Sequence, residues 1–263
     1  GQKEPVIDMP TRFVDFMRVL VPMAGDDTTP KGEQVNIYGN HVGSWNFAAT
    51  AYLNRWKVKI YYEHYFDDHS QMFFQYGRWK DGHIGLEITF PKNRFIDTFV
   101  YEGLGTKDQT GPMLYDSFLG EFEEQISAKD NYYNHYLYQG WQHWGMGIGN
   151  PLLPGPIYNK NGQITFISNR VLAHHIGFCG SPCQSLSYRM LLSYSRHWGT
   201  YDNPLNEIKK QFNSLFEVTY APQQLKGWSF TVSGAMDRGN LLGNNYGGML
   251  VIRKQGIIKS GNK

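Results

Sequence analysis

A chain of 263 residues with 25 basic and 23 acidic side chains has a formal charge of +2 and no basic stripe, which gives no reason to invoke nucleic acid. Aromatic residues reach 16% (18 Tyr, 16 Phe, 7 Trp) while mean hydropathy is only −0.49, a profile shared by membrane barrels with girdles of rings and by glycan-binding β-sandwiches. No run of about 18 or more apolar residues is present, which excludes a transmembrane helix. No charged n-region followed by an apolar h-region opens the chain either, so a secreted protein is expected here in mature form.

In chain order, residues 1–40 read as a helix-and-loop lead-in. The helix is expected over 11–21, with Thr11 as N-cap and Phe13, Phe16, Met17 and Leu20 on one face, ended by Pro22 and the stretch AGDDTTPKGE. Nine strands follow, at about 45–53, 56–66, 83–90, 96–104, 170–178, 184–198, 211–220, 228–237 and 245–254. Several show strict alternation. Trp56, Val58, Ile60, Tyr62 and Phe66 share one side of their strand, opposite Lys57, Lys59, Tyr61 and Glu63. The same dyad recurs in Phe212, Phe216, Val218 and Tyr220 and in Trp228, Phe230, Val232 and Met236.

Four short links, at 54–55, 91–95, 180–182 and 221–227, alternate with four longer ones, at 67–82, 105–169, 199–210 and 238–244. Short turns on the periplasmic side and long loops outside are the asymmetry of an exported barrel. The expected fold class is therefore all-β: one domain over 1–263, a transmembrane antiparallel β-barrel with a short N-terminal helix and a long extracellular loop region at 105–169. A soluble sandwich predicts the same alternation with the apolar side turned inward. Two features favour the membrane reading: rings gather toward strand ends, and Glu102, Arg189, Glu217 and Asp237 mix with Ser, Thr and Gly on the opposite side, as a watery lumen requires. With the longer links outside, the first strand enters from outside and the ninth ends in the periplasm. Bacterial single-chain barrels have even strand numbers, so these nine are expected to be the later part of a longer barrel, unless one strand is missed.

Seven segments in this order resemble one family, the Wzi-type capsule-assembly outer-membrane proteins: GNHVGSW (39–45), YEHYFDD (62–68), YEGLGTKDQTGP (101–112), DNYYNHYLYQGWQHWGMGIGNPL (130–152), NRVLAHHIG (169–177), YSRHWGTYD (194–202) and GNLLGNNYGGMLVIRKQG (239–256). The resemblance implies a barrel of about 18 strands, of which this chain matches the C-terminal half. It also implies a bacterial outer-membrane location and a non-enzymatic, lectin-like role in binding or organising capsular or surface polysaccharide. Its partners would be that polysaccharide, outer-membrane lipid, and an N-terminal segment or another chain that completes the barrel.

Candidate glycan contacts lie in the long loop region. Tyr132, Tyr133, Tyr136, Trp141 and Trp144, with Tyr138 and His143, stand among Asp130, Asn131, Asn134 and Gln139; rings stack on the C–H faces of sugars while carboxylates and amides meet their hydroxyls. Packing of the loop onto the barrel rim explains the same rings. Asp108 and Gln109 in TKDQTGP are candidates at the barrel mouth, and turn formation by Asp108, Gly111 and Pro112 is the competing account. Cys179 and Cys183 flank a Gly-Ser-Pro turn, where either a cross-hairpin disulfide or two thiols fit.

No metal site or cofactor is indicated. His174 and His175, adjacent on a strand, point to opposite faces. His41 and Ser44 have the wrong spacing for a barrel phospholipase pair. His197 reads as a rim residue, Asp67-Asp68 and Glu123-Glu124 as solvated loop charge, and the Gly-rich GNLLGNNYGG lacks the ending of a phosphate loop. The rival functions are a diffusion channel lined by Arg189, Glu217 and Asp237 and, with less support, an outer-membrane hydrolase.

Overall fold

In a computed structural model of the chain, residues 8–35, 37–67, 71–74, 80–93, 95–137 and 139–256 are described. Alternation between polar and apolar side chains produces the main element, a single nine-stranded antiparallel sheet. Its strands are β1 (Val42–Leu53), β2 (Trp56–Asp67), β3 (Gly82–Thr89), β4 (Thr98–Gly105), β7 (Val171–Cys183), β8 (Leu186–Gly199), β9 (Pro204–Tyr220), β10 (Trp228–Gly239) and β11 (Asn245–Lys254). Each strand pairs with its neighbours in chain order. The miniature hairpin β5 (Gln142–His143) and β6 (Met146–Gly147) stands apart, within the link between β4 and β7. Among the described residues the sheet is open: β1 pairs only with β2, and β11 only with β10.

Register assigns every strand residue to one of two faces. Ala49 lies opposite Ile60, Ile60 opposite Leu86, and Leu86 opposite Tyr101. On the next row Glu102 lies opposite His175, His175 opposite Ser193, and Ser193 opposite Asn213. The first face is apolar on all nine strands and is turned outward. Ile60, Phe216 and Val232 are 55%, 50% and 60% exposed, and Val58, Val218 and Phe230 are half-exposed, so these side chains form no dry interior. A sandwich core of these residues is thereby excluded. On this face Trp56, Tyr188, Tyr220 and Trp228 sit at or near strand ends by the short turns, while Phe47, Tyr101, Phe212 and Phe216 stand farther along their strands among aliphatic residues such as Ala49, Leu192 and Leu250.

The polar face lines the concave side. The sheet curls so far that Ser44 on β1 and Asn213 on β9 border the same cavity. Four turns lie at one end of the strands, while the longer links and the N-terminal segment lie at the other.

Several boundaries differ from expectation. The first helix, α1, spans Phe13–Leu20 rather than 11–21, and its N-cap is Arg12, not Thr11. The Asp15 carboxylate accepts a hydrogen bond from the Arg12 backbone N–H at 3.0 Å and two more from its guanidinium, tying the first turn shut. A short second helix, α2 (Lys31–Val35), was not anticipated. The tight turn expected at 180–182 lies instead at Gln184-Ser185, because β7 runs on through a bulge between Gly180 and Cys183. Gly180 is required there: a Cβ would stand 1.7 Å from the Phe95 carbonyl oxygen. Strand β9 begins at Pro204, well before 211, with Pro at the first strand position, where its missing N–H matters least.

α1 is inverted relative to a helix of a water-soluble domain. Asp15 is buried at 2% exposure, and Arg18 and Arg12 pair with Asp15 and Asp26, while Phe13, Phe16 and Leu20 are 77%, 61% and 62% exposed. Its charges face the protein and its rings face out.

Candidate functional site

The segment between β4 and β7 folds back over the polar face and supplies the buried hydrophobic cluster of the molecule. Tyr133, Leu153 and Phe166 pack on Leu104, Val171 and Ala173 at the strand ends. Phe166 meets Tyr133 edge-on at 5.1 Å, and Trp141 stacks on Tyr133 at 5.6 Å. Asn134 clips the segment across 32 residues, donating to the Phe166 carbonyl and accepting from its N–H, both at 2.8 Å.

The root of this lid is a buried carboxylate that the sequence reading passed over. Asp81, 1% exposed and immediately before β3, accepts the backbone N–H of Asp108 at 2.8 Å, that of Gln109 at 2.6 Å, and the Tyr132 hydroxyl at 2.9 Å. Burial pushes its carboxyl up to about 6 against the opposing pull of these donors. The same burial, with Asp81 beside it, raises the Tyr132 phenol well above its ordinary value. The backbone pays locally for this shape, with Gln109 and Thr110 at φ 44° and 63°.

The candidate glycan residues divide accordingly. Tyr132, Tyr133 and Gln109 are buried at 3%, 7% and 0% exposure and hold the lid together, so as contacts for an external sugar they are corrected: their side chains do not reach the surface. Asp108 uses its backbone for Asp81 and for the Tyr201 hydroxyl, at 2.7 Å. Trp141 is half-buried against Tyr133. Tyr136 and Trp144 alone are open, at 61% and 84% exposure. Trp144 sits at the tip of the β5–β6 hairpin with φ 53°, followed by Gly145 with φ 78°. That pair of positive angles belongs to Asn-Gly in a two-residue hairpin turn, so a bulky ring there is strained as well as exposed. Tyr138 and Asp68 lie outside the described residues.

Cys179 and Cys183 are both free and lie on one strand, β7. Of the two states left open for this pair, the structure has the two thiols: four residues along a strand span roughly 12–13 Å, about twice the Cα separation that a disulfide bridges. His174 bonds outward to Tyr101 at 2.8 Å and His175 inward to Ser193 at 2.7 Å, on opposite faces. His197 is not at the rim but 1% exposed beneath the lid, against Ser195 at 2.9 Å. Among the described residues no group of three or more His, Cys, Asp or Glu is placed to hold a metal ion, and no helix is long and apolar enough to cross a membrane.

Between lid and sheet lies a cavity of about 1100 Å³. A polar belt crosses its floor. The Tyr61 hydroxyl donates to Glu102, passing over Gly85, where a Cβ would stand 2.0 Å from the Tyr61 ring. His83 stands between two carboxylates, 3.5 Å from Glu102 and 3.9 Å from Glu63, and Ser44 donates to Glu63 at 2.7 Å. On the far side Asn213 donates to Asp237 at 2.7 Å. Nearer the short turns the lining becomes ion-paired, Arg189 with Glu217 and Lys57 with Glu87. This belt was legible only as scattered polar positions until register aligned them.

No family model and no curated protein matches this chain.

Proposed function

We propose that this chain forms part of an outer-membrane β-barrel of the capsule-assembly type, which binds or organises surface polysaccharide at the cell surface without acting as an enzyme. One observation carries the reading: the apolar face is turned outward on all nine strands, while the polar face curls around a cavity that the long link covers. A sheet built this way in water would expose a ring-rich apolar surface far larger than soluble proteins tolerate. Against lipid hydrocarbon the same surface needs no cover. The outward rings of α1, at the end of the strands where the longer links lie, suit the membrane interface.

Closure follows from strand direction. With nine antiparallel strands, β1 and β11 run the same way, so an all-antiparallel barrel takes an odd number of further strands between them. Unpaired edges in lipid are strongly disfavoured, which makes those strands a requirement of the reading. The folded lid over the polar side favours polymer retention at the long-link end over free conduction through the lumen. Retention would use Trp144 and Tyr136, two of the open rings of the lid, in weak contacts multiplied along a repeating polymer.

The test is a polysaccharide pull-down with the protein in detergent micelles or on cells. Trp144→Ala with Tyr136→Ala is expected to reduce capsule retention at least tenfold, with the barrel still inserted. Undiminished retention, or bilayer conductance typical of an open pore, would overturn the reading.

A further inference from the structure

Fixed charge on the outer face of the sheet is confined to the strand ends and is of one sign. Register places Arg196 of β8, Lys210 of β9 and Arg238 of β10 on that face at the long-link end, and Lys254 of β11 at the short-turn end. No strand carries a carboxylate there. Lys254 is engaged, donating to the Lys226 carbonyl at 2.6 Å beside the Trp228 ring. The cations at the long-link end are not satisfied in that way.

Two of them face each other. Arg196 is the cross-strand partner of Lys210, and like charges directly opposite on one face destabilise a sheet unless an anion is shared between them. Arg238, opposite Phe212, is a diagonal neighbour of Lys210 at roughly 7–8 Å. Two more cations join just beyond the strand ends. Lys107 and Arg196 lie over one ring, Trp198, at 4.7 and 5.4 Å, while Arg170 stacks on Tyr201 at 3.8 Å and its Nε donates to the Lys107 carbonyl at 3.1 Å. The rings hold these three heads together. Among the described residues none of the five cations forms an ion pair. Asp202 and Glu207, close by in the chain, pair instead with Lys129 and Lys209.

The position of the cluster indicates the kind of anion. One pleat below Arg196 and Lys210 stand Tyr194 and Phe212, and one pleat below those stand Ile176, Leu192 and Met236, so the cations border the apolar band and point sideways from it. Lysine and arginine stems placed there run along apolar surface and deliver their heads to the membrane interface. We infer that this cluster binds a lipid whose headgroup carries phosphate groups, in the leaflet at the long-link end. Arg196 and Lys210 share one phosphate, which turns their mutual repulsion into a joint attraction, and Arg170 with Lys107 holds a second charge of the same headgroup. Arginine offers phosphate oxygens a planar fork of N–H donors. The acyl chains lie against Ile176, Leu192 and Met236. This inference rests on the reading above that the outer face meets lipid.

Native mass spectrometry of the protein released from neutral detergent micelles, with phosphatidic acid and phosphatidylcholine of the same acyl chains as probes, tests the inference. Phosphatidic acid is expected to bind at least tenfold more tightly than phosphatidylcholine. The double variant Arg196→Gln/Lys210→Gln should lose that preference, Arg238→Gln should weaken it about threefold, and Lys254→Gln, at the other end of the strands, should leave it unchanged. The comparison of probes on the unsubstituted protein decides the matter even if a variant fails to fold. Equal binding of the two lipids, or a preference that survives in the folded double variant, would overturn the inference. So would displacement of phosphatidic acid by millimolar inorganic phosphate or by trigalacturonate, which would make the cluster a site for free phosphate or for an acidic polysaccharide. Equal binding in protein whose position 216 still lies in liposome hydrocarbon overturns this inference alone; position 216 in water overturns the membrane reading with it.

Discussion

Two ring-rich regions of this molecule have exchanged their usual places. In a water-soluble β-protein the strands bury their apolar side and the connecting loops stay polar and open. Here the strands expose Phe47, Ile60, Phe216, Val232 and Tyr246, while the longest link buries Tyr132, Tyr133, Leu153 and Phe166 as the principal hydrophobic cluster. The same residue types therefore serve two solvents. Rings in the link exclude water from the root of the lid; those on the strands point where, on our reading, there is no water to exclude.

Four changes would break or sharpen that contrast. The largest effect is expected inside the lid. Phe166→Ala removes a fully buried ring stacked edge-on against Tyr133 and should destabilise the folded link by about 3–5 kcal/mol, seen as new protease cleavage within 106–170 while the strands stay protected. Next comes a charge on the outer face. If the outer face meets lipid as we propose, Phe216→Arg is expected to lower the stability of the sheet in bilayers by about 2–4 kcal/mol, whereas the same change at Thr231, on the polar face, should cost less than about 1 kcal/mol. Equal penalties at the two positions would contradict the assignment of faces.

The third change is in pH. Asp81 has its carboxyl raised to about 6 in the folded lid, against an ordinary value near 4 in an unfolded link, so the folded state holds the proton more tightly. Its contribution is neutral below about pH 4. Above that, stability of the lid falls until about pH 6 and then levels, a loss on the order of 2–3 kcal/mol. Hydrogen-exchange protection of the 106–170 segment should follow this slope, and Asp81→Asn should flatten it while weakening the lid at every pH, since an amide cannot accept all three donors. The smallest effect is at the hairpin tip. Trp144→Asn suits the positive φ and should stabilise the hairpin by up to about 1 kcal/mol while polysaccharide retention falls. Stability and function moving in opposite directions is the signature of a ring held in place for contact.

All nine strands were legible in the sequence, because period-two alternation and Gly, Pro and Asn turns are local signals. Where the end of β7 was missed, the cause was non-local. Strand β7 overran its expected turn because Gly180 lets the chain pass against the Phe95 carbonyl, and nothing near Gly180 in the sequence announces Phe95. The fate of the loop rings was hidden for the same reason. Tyr132 and Tyr136 look alike in DNYYNHY, yet Tyr132 is fixed to Asp81, 51 residues away, and Tyr136 is open. Trp144 carried a readable hint, a two-residue Trp-Gly turn between His143 and Met146. The belt of Glu63, His83, Glu102 and His175 was present as polar positions on four strands but became one site only through register and the curl of the sheet.

The central claim is the direction of the apolar face, and nitroxide labels measure it most directly. With single labels at positions 60, 216 and 232 and, for contrast, at 193, 213 and 231 in the protein reconstituted into liposomes, relaxation by oxygen and by a water-soluble nickel chelate reports lipid and water separately. The account predicts that the first three labels relax with oxygen and are shielded from the chelate, with the reverse or a shielded, lid-covered response for the second three. Labels at 60, 216 and 232 that relax with the chelate, or are shielded from both reagents by protein packing, would contradict it.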